Sequence, residues 1–272
     1  MADRSGNFDV RHQSGFTLIA AFTFFALYLP IAVLVVFAFN GGDSISDWQG
    51  LSLHWFYEAA RDTRVIDAAI RSFVLAVSAG GIATLTATLA AIATTRTAPY
   101  RGLSAKYAFI NLPLMVPEIV TGVALLIFFS RVKMWTGYSG LGYLIAAHAA
   151  FCIPFAYLPI RARLESMDDS LERAAADLYA TPFRAFRYVT LPLLWPGVLA
   201  GFMLAFVISL DDVVITEFVK SGGQDTLPTY MLGQIRRGTT PAMNAISTIF
   251  LLFSVLAVTI MFLVDGKRAK AQ

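Results

Sequence analysis

The segment that decides the fold covers residues 168–197 and reads DDSLERAAADLYATPFRAFRYVTLPLLWPG. It is charged and rich in helix-forming residues, yet it lies between two apolar runs long enough to cross a bilayer. Bulky apolar residues such as Phe183 and Tyr188 stand among its charged ones. We therefore predict that the segment lies outside the bilayer of a membrane protein and offers a docking surface to a second protein.

Two short helices are predicted within this segment. Leu171 and Leu178, with alanines at the helical positions between them, form one apolar face. Thr181 followed by Pro182 is typical of an N-cap and the first residue of a second helix. That second helix is predicted to stop before Leu191-Pro192, because the residue that precedes a proline disfavours the helical region. The segment therefore reads as a helical hairpin.

Composition places this hairpin on a polytopic membrane protein. Of the 272 residues, 57% are hydrophobic and only 14% are charged, whereas soluble domains are about a quarter charged. The predicted fold class is all-α, with six transmembrane helices and a hairpin loop at 164–191 between the fourth and the fifth. The spans are predicted at about residues 16–39, 67–95, 107–130, 141–160, 193–215 and 244–264. Small residues of the second span, including Gly80, Gly81, Ala83 and Ala87, predict close helix packing.

Basic residues indicate the orientation of one membrane domain, residues 16–265, between an N-terminal tail at 1–15 and a C-terminal tail at 266–272. Thirteen of the 21 lysines and arginines fall in the two terminal segments and in the loops 96–106 and 161–191, and seven fall in the other loops. Because cytoplasmic loops carry the excess of basic residues, both termini and the hairpin are predicted to be cytoplasmic.

Motifs for catalysis or nucleotide binding are absent from the sequence. It has no glycine-rich phosphate loop, and its histidines, His12, His54 and His148, lack metal-ligand spacing. The single cysteine, Cys152, lies in an apolar run and excludes an intramolecular disulfide. Basic residues flank the spans instead of forming one patch, so nucleic acid is not an expected partner. We expect no catalytic residue, no metal site and no cofactor bound by the chain itself.

Three acidic residues fall within or at the end of predicted spans. Glu118 lies in the third span, and Asp211 and Asp212 lie in the fifth. Because an ionised carboxylate facing lipid is unfavourable, such residues usually face a water-filled cavity or a polar partner. Glu118, Asp211 and Asp212 are therefore predicted to line a solute path for a cation. Polar contacts between helices, such as Asp211 with Arg236 or Arg237, are the alternative, and His148 is predicted to be a hydrogen-bonded packing residue.

The hairpin segment resembles the EAA loop of permease subunits of binding-protein-dependent ABC importers. That motif reads Glu-Ala-Ala-x-x-x-Gly and is followed further along by an apolar residue, any residue, and Leu-Pro. The matching positions are Ala174, Ala175, Asp177, Leu178, Ala180, Leu191, Pro192, Pro196 and Gly197. The resemblance implies the type I permease fold, with the hairpin as a coupling helix that sits in a groove of a cytoplasmic ATPase. The residues implied to couple to the ATPase are Glu172, Arg173, Ala174, Ala175, Asp177, Leu178, Tyr179, Ala180, Pro182 and Phe183.

Two positions depart from the motif. Its Glu falls on Arg173, with Glu172 one residue earlier, and its Gly falls on Tyr179. A turn glycine usually supplies a positive φ, which a tyrosine adopts at a cost of roughly 1 kcal/mol or more. Either the turn shifts toward Ala180, or Tyr179 takes up the strained conformation.

Most of residues 50–265 resemble permeases of the spermidine/putrescine type. The most specific segments are SLDDVVITEFV and DTLPTYMLGQIRRGTTPAMNAIST. The resemblance implies half of a translocation path for a small solute, with putrescine or spermidine expected and another small organic solute as the alternative. The implied partners are a second, similar permease, two ATPase subunits that bind ATP and Mg, and a periplasmic binding protein, at the inner membrane of a bacterial cell.

An ion-coupled secondary transporter, with the three acids as ion or proton sites, is the competing class. No inverted repeat is visible in the sequence, and a docking hairpin is not expected of that class. A membrane enzyme and a purely structural subunit have no supporting feature in the sequence.

Overall fold

The computed structural model describes residues 14–43, 47–97, 101–237 and 240–269, and every regular element in these ranges is helical. The elements are α1 (Ser14–Phe37), α2 (His54–Ala59), α3 (Thr63–Thr95), α4 (Leu103–Met115), α5 (Glu118–Thr136), α6 (Leu141–Ser166), α7 (Ser170–Asp177), α8 (Pro182–Ala185), a π-helical turn (Phe186–Thr190), α9 (Leu191–Asp211), α10 (Val214–Val219), α11 (Leu227–Arg237) and α12 (Pro241–Ala269). Within these ranges, six helical stretches are long and apolar enough to cross a membrane. Residues 1–13 and 270–272 of the predicted tails lie outside the described residues.

The third span differs most from its predicted position. It was expected at residues 107–130, but the chain forms two helices there, α4 and α5, and only α5 is a candidate span. Pro117 restricts the residue before it, and Val116 is extended, with φ −91° and ψ 135°. The helix therefore breaks at this point, and Glu118 lies in the first turn of α5. The other five candidate spans overlap the predicted ones.

The fifth span begins earlier than predicted. Thr181 caps α8 as expected, since its Oγ1 accepts a hydrogen bond from the Arg184 N–H at 3.4 Å. The helix does not stop before Leu191-Pro192, however, because residues 182–211 form one helical stretch that passes through the π turn. Pro192 lies inside this stretch, just after the π turn, and interior prolines are tolerated in helices that cross a membrane. The prediction of a stop there was wrong.

The chain divides into two compact units, and each is described by itself. The first contains the described residues up to Arg61 and those of 238–251. Its loop is organised by Asn40, which is buried. The Nδ2 atom of Asn40 donates to the Asp47 carbonyl at 2.7 Å, and its Oδ1 accepts from the Gln49 N–H at 2.8 Å. Asn40 therefore ties residues 47–49 back to the end of α1, beside the backbone bonds of Gly41 with Gly50 and of Ser52 with Phe39.

The second unit, which contains residues 62–237 and 252–269, is built on α3, α6 and α9. Ala87 of α3, Ala156 of α6 and Ala205 of α9 are completely buried, and small side chains allow helix backbones to approach closely. At Gly201 of α9, an added Cβ would lie 2.7 Å from the Ala156 carbonyl oxygen. The small-residue face predicted for the second span is confirmed, except that Gly81 faces open space.

The two ends of α3 hold different segments. Near its start, Arg71 Nη1 donates to the Asp225 carbonyl at 2.6 Å, and Ser72 Oγ accepts from the Leu227 N–H at 2.7 Å. These bonds fix the segment that leads into α11. At the other end of α3, Arg96 lies at the C-cap and meets the hairpin. The core helix α3 therefore connects the hairpin end of this unit with the opposite end.

Candidate functional site

The predicted acids meet at one cavity, at the junction of α9 and α10. Helix α9 ends at Asp211, the next residue is extended, and α10 begins two residues later. The cavity beside this break has a volume of about 360 Å³. Its lining includes the acids Glu118, Asp211 and Asp212 and the apolar side chains Phe151, Phe155 and Ile208. The structure thus brings Glu118 together with the adjacent pair Asp211 and Asp212, which lies far from it in the sequence.

The two adjacent aspartates differ in their environment. The side chain of Asp212 is 1% exposed, while Asp211 is exposed. The Oδ1 atom of Asp212 accepts hydrogen bonds from the Thr216 N–H at 2.9 Å and from Thr216 Oγ1 at 3.1 Å, and its Oδ2 accepts from the Ile215 N–H at 3.3 Å. The two backbone donors are N–H groups of the first turn of α10, which have no partner within the helix. Asp212 therefore holds the helix break together.

His148 of α6 fixes the same break from the other side. Its Nδ1 lies 2.9 Å from Ser209 Oγ on α9, and its Nε2 lies 3.0 Å from Thr216 Oγ1 on α10 and 3.4 Å from Asp212 Oδ1. The prediction of a buried, hydrogen-bonded histidine is confirmed. Its position beside a predicted site residue was missed, because its partners lie more than sixty residues away in the sequence and form no local pattern.

Glu118 approaches the cavity from a third helix. It lies in the first turn of α5, where a carboxylate is favourable, and its carboxyl lies beside that of Asp212. The alternative partner for Asp211 is not found, because no ion pair among the described residues joins it to Arg236 or Arg237. Glu118 and Asp211 thus offer carboxylate oxygens to the cavity, and the apolar wall suits an alkyl chain.

The hairpin forms a second candidate site, about 45 Å of helix away from the cavity along residues 182–211. Its first helix, α7, is preceded by Asp168, whose Oδ1 accepts the Ser170 N–H at 2.8 Å. Hydrogen bonds from the Ser170 hydroxyl and N–H hold the pKa of Asp168 below its ordinary value. The predicted coupling residues that are exposed are Arg173, Ala174, Asp177, Leu178, Tyr179, Pro182 and Phe183, while Ala175 and Ala180 are half-buried.

Glu172 faces its own chain instead of the solvent. Its Oε1 accepts a hydrogen bond from Thr190 Oγ1 at 2.9 Å and lies 3.3 Å from Arg96 Nε. Both members of this ion pair are largely covered. Glu172 therefore ties α7 to the end of α3 and to the π turn, and its neighbour Arg173 is the one that points outward.

The turn after α7 has its left-handed residue at Tyr179, with φ 59°. The Tyr179 N–H donates to the Ala176 carbonyl at 2.9 Å, and the Ala180 N–H donates to the Ala175 carbonyl at 3.0 Å. This pair of bonds is the Schellman arrangement that closes a helix, in which the left-handed position usually carries glycine. Of the two possibilities left by the sequence, the strained tyrosine is therefore the one observed.

The family model and similar curated proteins all indicate one family. The model of the family "Binding-protein-dependent transport system inner membrane component" matches residues 104–270. The chain is 36% identical to the putrescine transport system permease protein PotI of Escherichia coli over 237 residues, covering 86% of this chain and 84% of that protein. It is 35% identical to the spermidine/putrescine transport system permease protein PotC of Haemophilus influenzae over 259 residues, covering 94% and 99%.

Solved structures show the same fold at low sequence identity. A chain of a bacterial ABC transporter involved in the import of the acidic polysaccharide alginate superposes with a TM-score of 0.70 at 15% identity, covering 92% of this chain and 94% of that chain. A chain of the MetNI methionine ABC transporter, in an inward-facing conformation, gives a TM-score of 0.62 at 18% identity, covering 76% and 94%. The predicted type I importer permease fold is confirmed.

Proposed function

Because the chain belongs to the family of binding-protein-dependent transport system inner membrane components, we propose that it forms half of the translocation path of an importer for a polyamine such as putrescine. The observation that carries this proposal is the cavity where Glu118, Asp211 and Asp212 meet against an apolar wall. A polyamine is a cation with alkyl segments, so carboxylates replace part of its hydration while the wall covers its methylene groups. The relatives named for putrescine and spermidine transport support the same solute class.

In this proposal the chain works beside a second permease, two cytoplasmic ATPase subunits and a binding protein on the outer face. One related solved structure is of an alginate transporter in complex with a solute-bound periplasmic protein, which supports that kind of partner. ATP and Mg are bound by the ATPase subunits, and this chain supplies the path and the hairpin that contacts them. The hairpin and both termini then lie on the cytoplasmic side.

Uptake by the complete importer tests the solute. The complex is reconstituted in vesicles and supplied with ATP and its binding protein, and entry of labelled putrescine is compared with entry of a neutral amino acid. We expect putrescine to enter, and Glu118→Gln to reduce its uptake several-fold with the protein still in the membrane. The matched control is Glu58→Gln, an exposed acid on α2 that is not among the residues lining the cavity. Stronger uptake of the neutral solute would refute the polyamine assignment.

Orientation is tested by labelling single cysteines with an impermeant maleimide. Asp177→Cys in the hairpin and Gly222→Cys before α11 are both exposed positions, and the native Cys152 is buried and serves as a silent background. We expect labelling from the outer face at position 222 and none at position 177 until the membrane is permeabilised. The reverse pattern would contradict the proposed orientation.

A further inference from the structure

We propose that Tyr179 is the anchor of the hairpin, with its ring inserted into an apolar pocket of the ATPase subunit. The inference rests on the proposed function, since it assumes that the hairpin binds an ATPase. It goes further by assigning the contact to one side chain, at the position where the related motif carries glycine. The partner surface it requires is an apolar pocket that covers an aromatic ring.

The conformation of Tyr179 is the first observation. It is the only non-glycine residue with a positive φ among those that the structure describes. A side chain in this region is disfavoured against glycine, and the two hydrogen bonds that close the turn are backbone bonds that a glycine would make equally well. Nothing in the turn itself therefore accounts for a tyrosine.

The exposure of Tyr179 is the second observation. Its side chain is 95% exposed, so packing within the chain does not offset the backbone strain. Leu178 directly precedes it in the turn and is 82% exposed. Phe183, in the helix that follows, is 68% exposed. An aromatic residue with apolar neighbours is the composition of an interface centre, where a few anchors carry most of the binding free energy.

Charge favours a protein partner over a lipid surface. The hairpin contains four acids, Asp168, Asp169, Glu172 and Asp177, and three arginines, Arg173, Arg184 and Arg187. Asp169 is paired with Arg173, and Glu172 is paired with Arg96 of α3. The remaining charges balance, whereas a helix that lies on an anionic bilayer carries an excess of basic residues. An exposed arginine at 184 also suits a carboxylate at the edge of the pocket.

The experiment measures binding and stability on the same variants. The chain and the proposed second permease are placed in nanodiscs, and the proposed ATPase subunit is titrated. Tyr179→Gly and Tyr179→Ala are each expected to weaken binding by about 30-fold, the usual effect of removing a desolvated aromatic anchor. Tyr179→Phe keeps the ring and is expected to bind within about 3-fold of the wild type. The melting temperature is expected to be unchanged or raised by Tyr179→Gly, because strain is relieved.

The control is Trp135→Ala, another aromatic side chain that is 86% exposed but lies at the end of α5, away from the hairpin. It is expected to bind the ATPase as the wild type does. The inference is overturned if Tyr179→Gly binds the ATPase as tightly as the wild type does. In that case a defect seen in Tyr179→Ala but not in Tyr179→Gly would come from the geometry of the turn and not from the lost ring. Quenching of a fluorophore on Tyr179→Cys by brominated lipid, without the ATPase, would also overturn it. If even the wild-type chain fails to bind the ATPase, the proposed function itself fails.

Discussion

The cavity and the hairpin represent two kinds of functional site on one chain. At the cavity, the buried polar groups of Asp212 and His148 are bonded to partners from α9 and α10 of the same chain. At the hairpin, Leu178, Tyr179 and Phe183 are exposed, while Glu172 turns inward. Groups whose partners all lie within the chain, as those of Asp212 and His148 do, should respond to substitution through stability. A site that a second protein completes should respond through association.

The strongest test of this contrast is His148→Leu. It removes the imidazole that is hydrogen-bonded to Ser209 and Thr216 and lies beside Asp212 in the buried break, so we expect a loss of about 3 kcal/mol or more in the free energy of unfolding. Thermal unfolding in detergent measures it. Cys152→Ala, at a buried position one turn further along α6, is the control and should cost about 1 kcal/mol. Equal stability of the two variants would show that the histidine does not hold the helix break.

The second test is Leu178→Glu, which acts on the hairpin. A carboxylate at a desolvated contact should weaken binding of the ATPase about 100-fold, since an unpaired charge would be buried. The melting temperature of the chain alone should not change, because the side chain is exposed. Leu51→Glu is the matched control, as Leu51 and Leu178 are both 82% exposed. A lower melting temperature of Leu178→Glu would mean that the hairpin surface packs on its own chain.

The third test separates two neighbouring residues of the cavity. Asp211→Asn should raise the KM for putrescine about 10-fold with little change in melting temperature, because an exposed carboxylate that faces the solute loses its charge. Asp212→Asn should lower the melting temperature instead, since its oxygens accept hydrogen bonds from Ile215 and Thr216. Uptake and unfolding are measured on both. Identical behaviour of the two variants would remove the distinction between a solute-facing and a structural aspartate.

The smallest effect is expected at the inward-facing residue of the hairpin. Glu172→Gln weakens a partly covered ion pair with Arg96 and should cost no more than about 1 kcal/mol of stability. Glu165→Gln, in the more exposed pair with Arg161, is the control and should change stability by less. If Glu172→Gln instead abolished ATPase binding with stability unchanged, Glu172 would belong to the docking surface.

The sequence predicted the features that depend on local pattern. Hydrophobic runs gave the number of spans, and Thr181 with Pro182 gave the start of α8. The motif narrowed the left-handed turn to Tyr179 or Ala180, and the structure has it at Tyr179. These features are set by residues close together in the chain, so a single sequence contains the necessary information.

Features that depend on contacts between distant segments were not predicted. The difference between Asp211 and Asp212 arises from His148 and Thr216, which lie on two other helices. Likewise, the inward direction of Glu172 depends on Arg96 at the end of α3. Prolines did not predict the ends of helices consistently, since the helix breaks at Pro117 but continues past Pro192. The outcome at each proline depends on whether the surrounding packing satisfies the freed carbonyl.

The unbroken helical path from residue 182 to residue 211 has a mechanical consequence. Thirty helical residues span about 45 Å, so the path acts as a lever with the hairpin at one end and Asp211 at the other. A rotation of about 5° about Gly201, which lies about 15 Å before Asp211, displaces the Asp211 end by about 1 Å and the hairpin end, about 28 Å away, by about 2.5 Å. The close contact of Gly201 with Ala156 lies along this lever and provides a natural fulcrum. Force applied by a nucleotide-driven partner at the hairpin would then reach the acids as a rotation about that point.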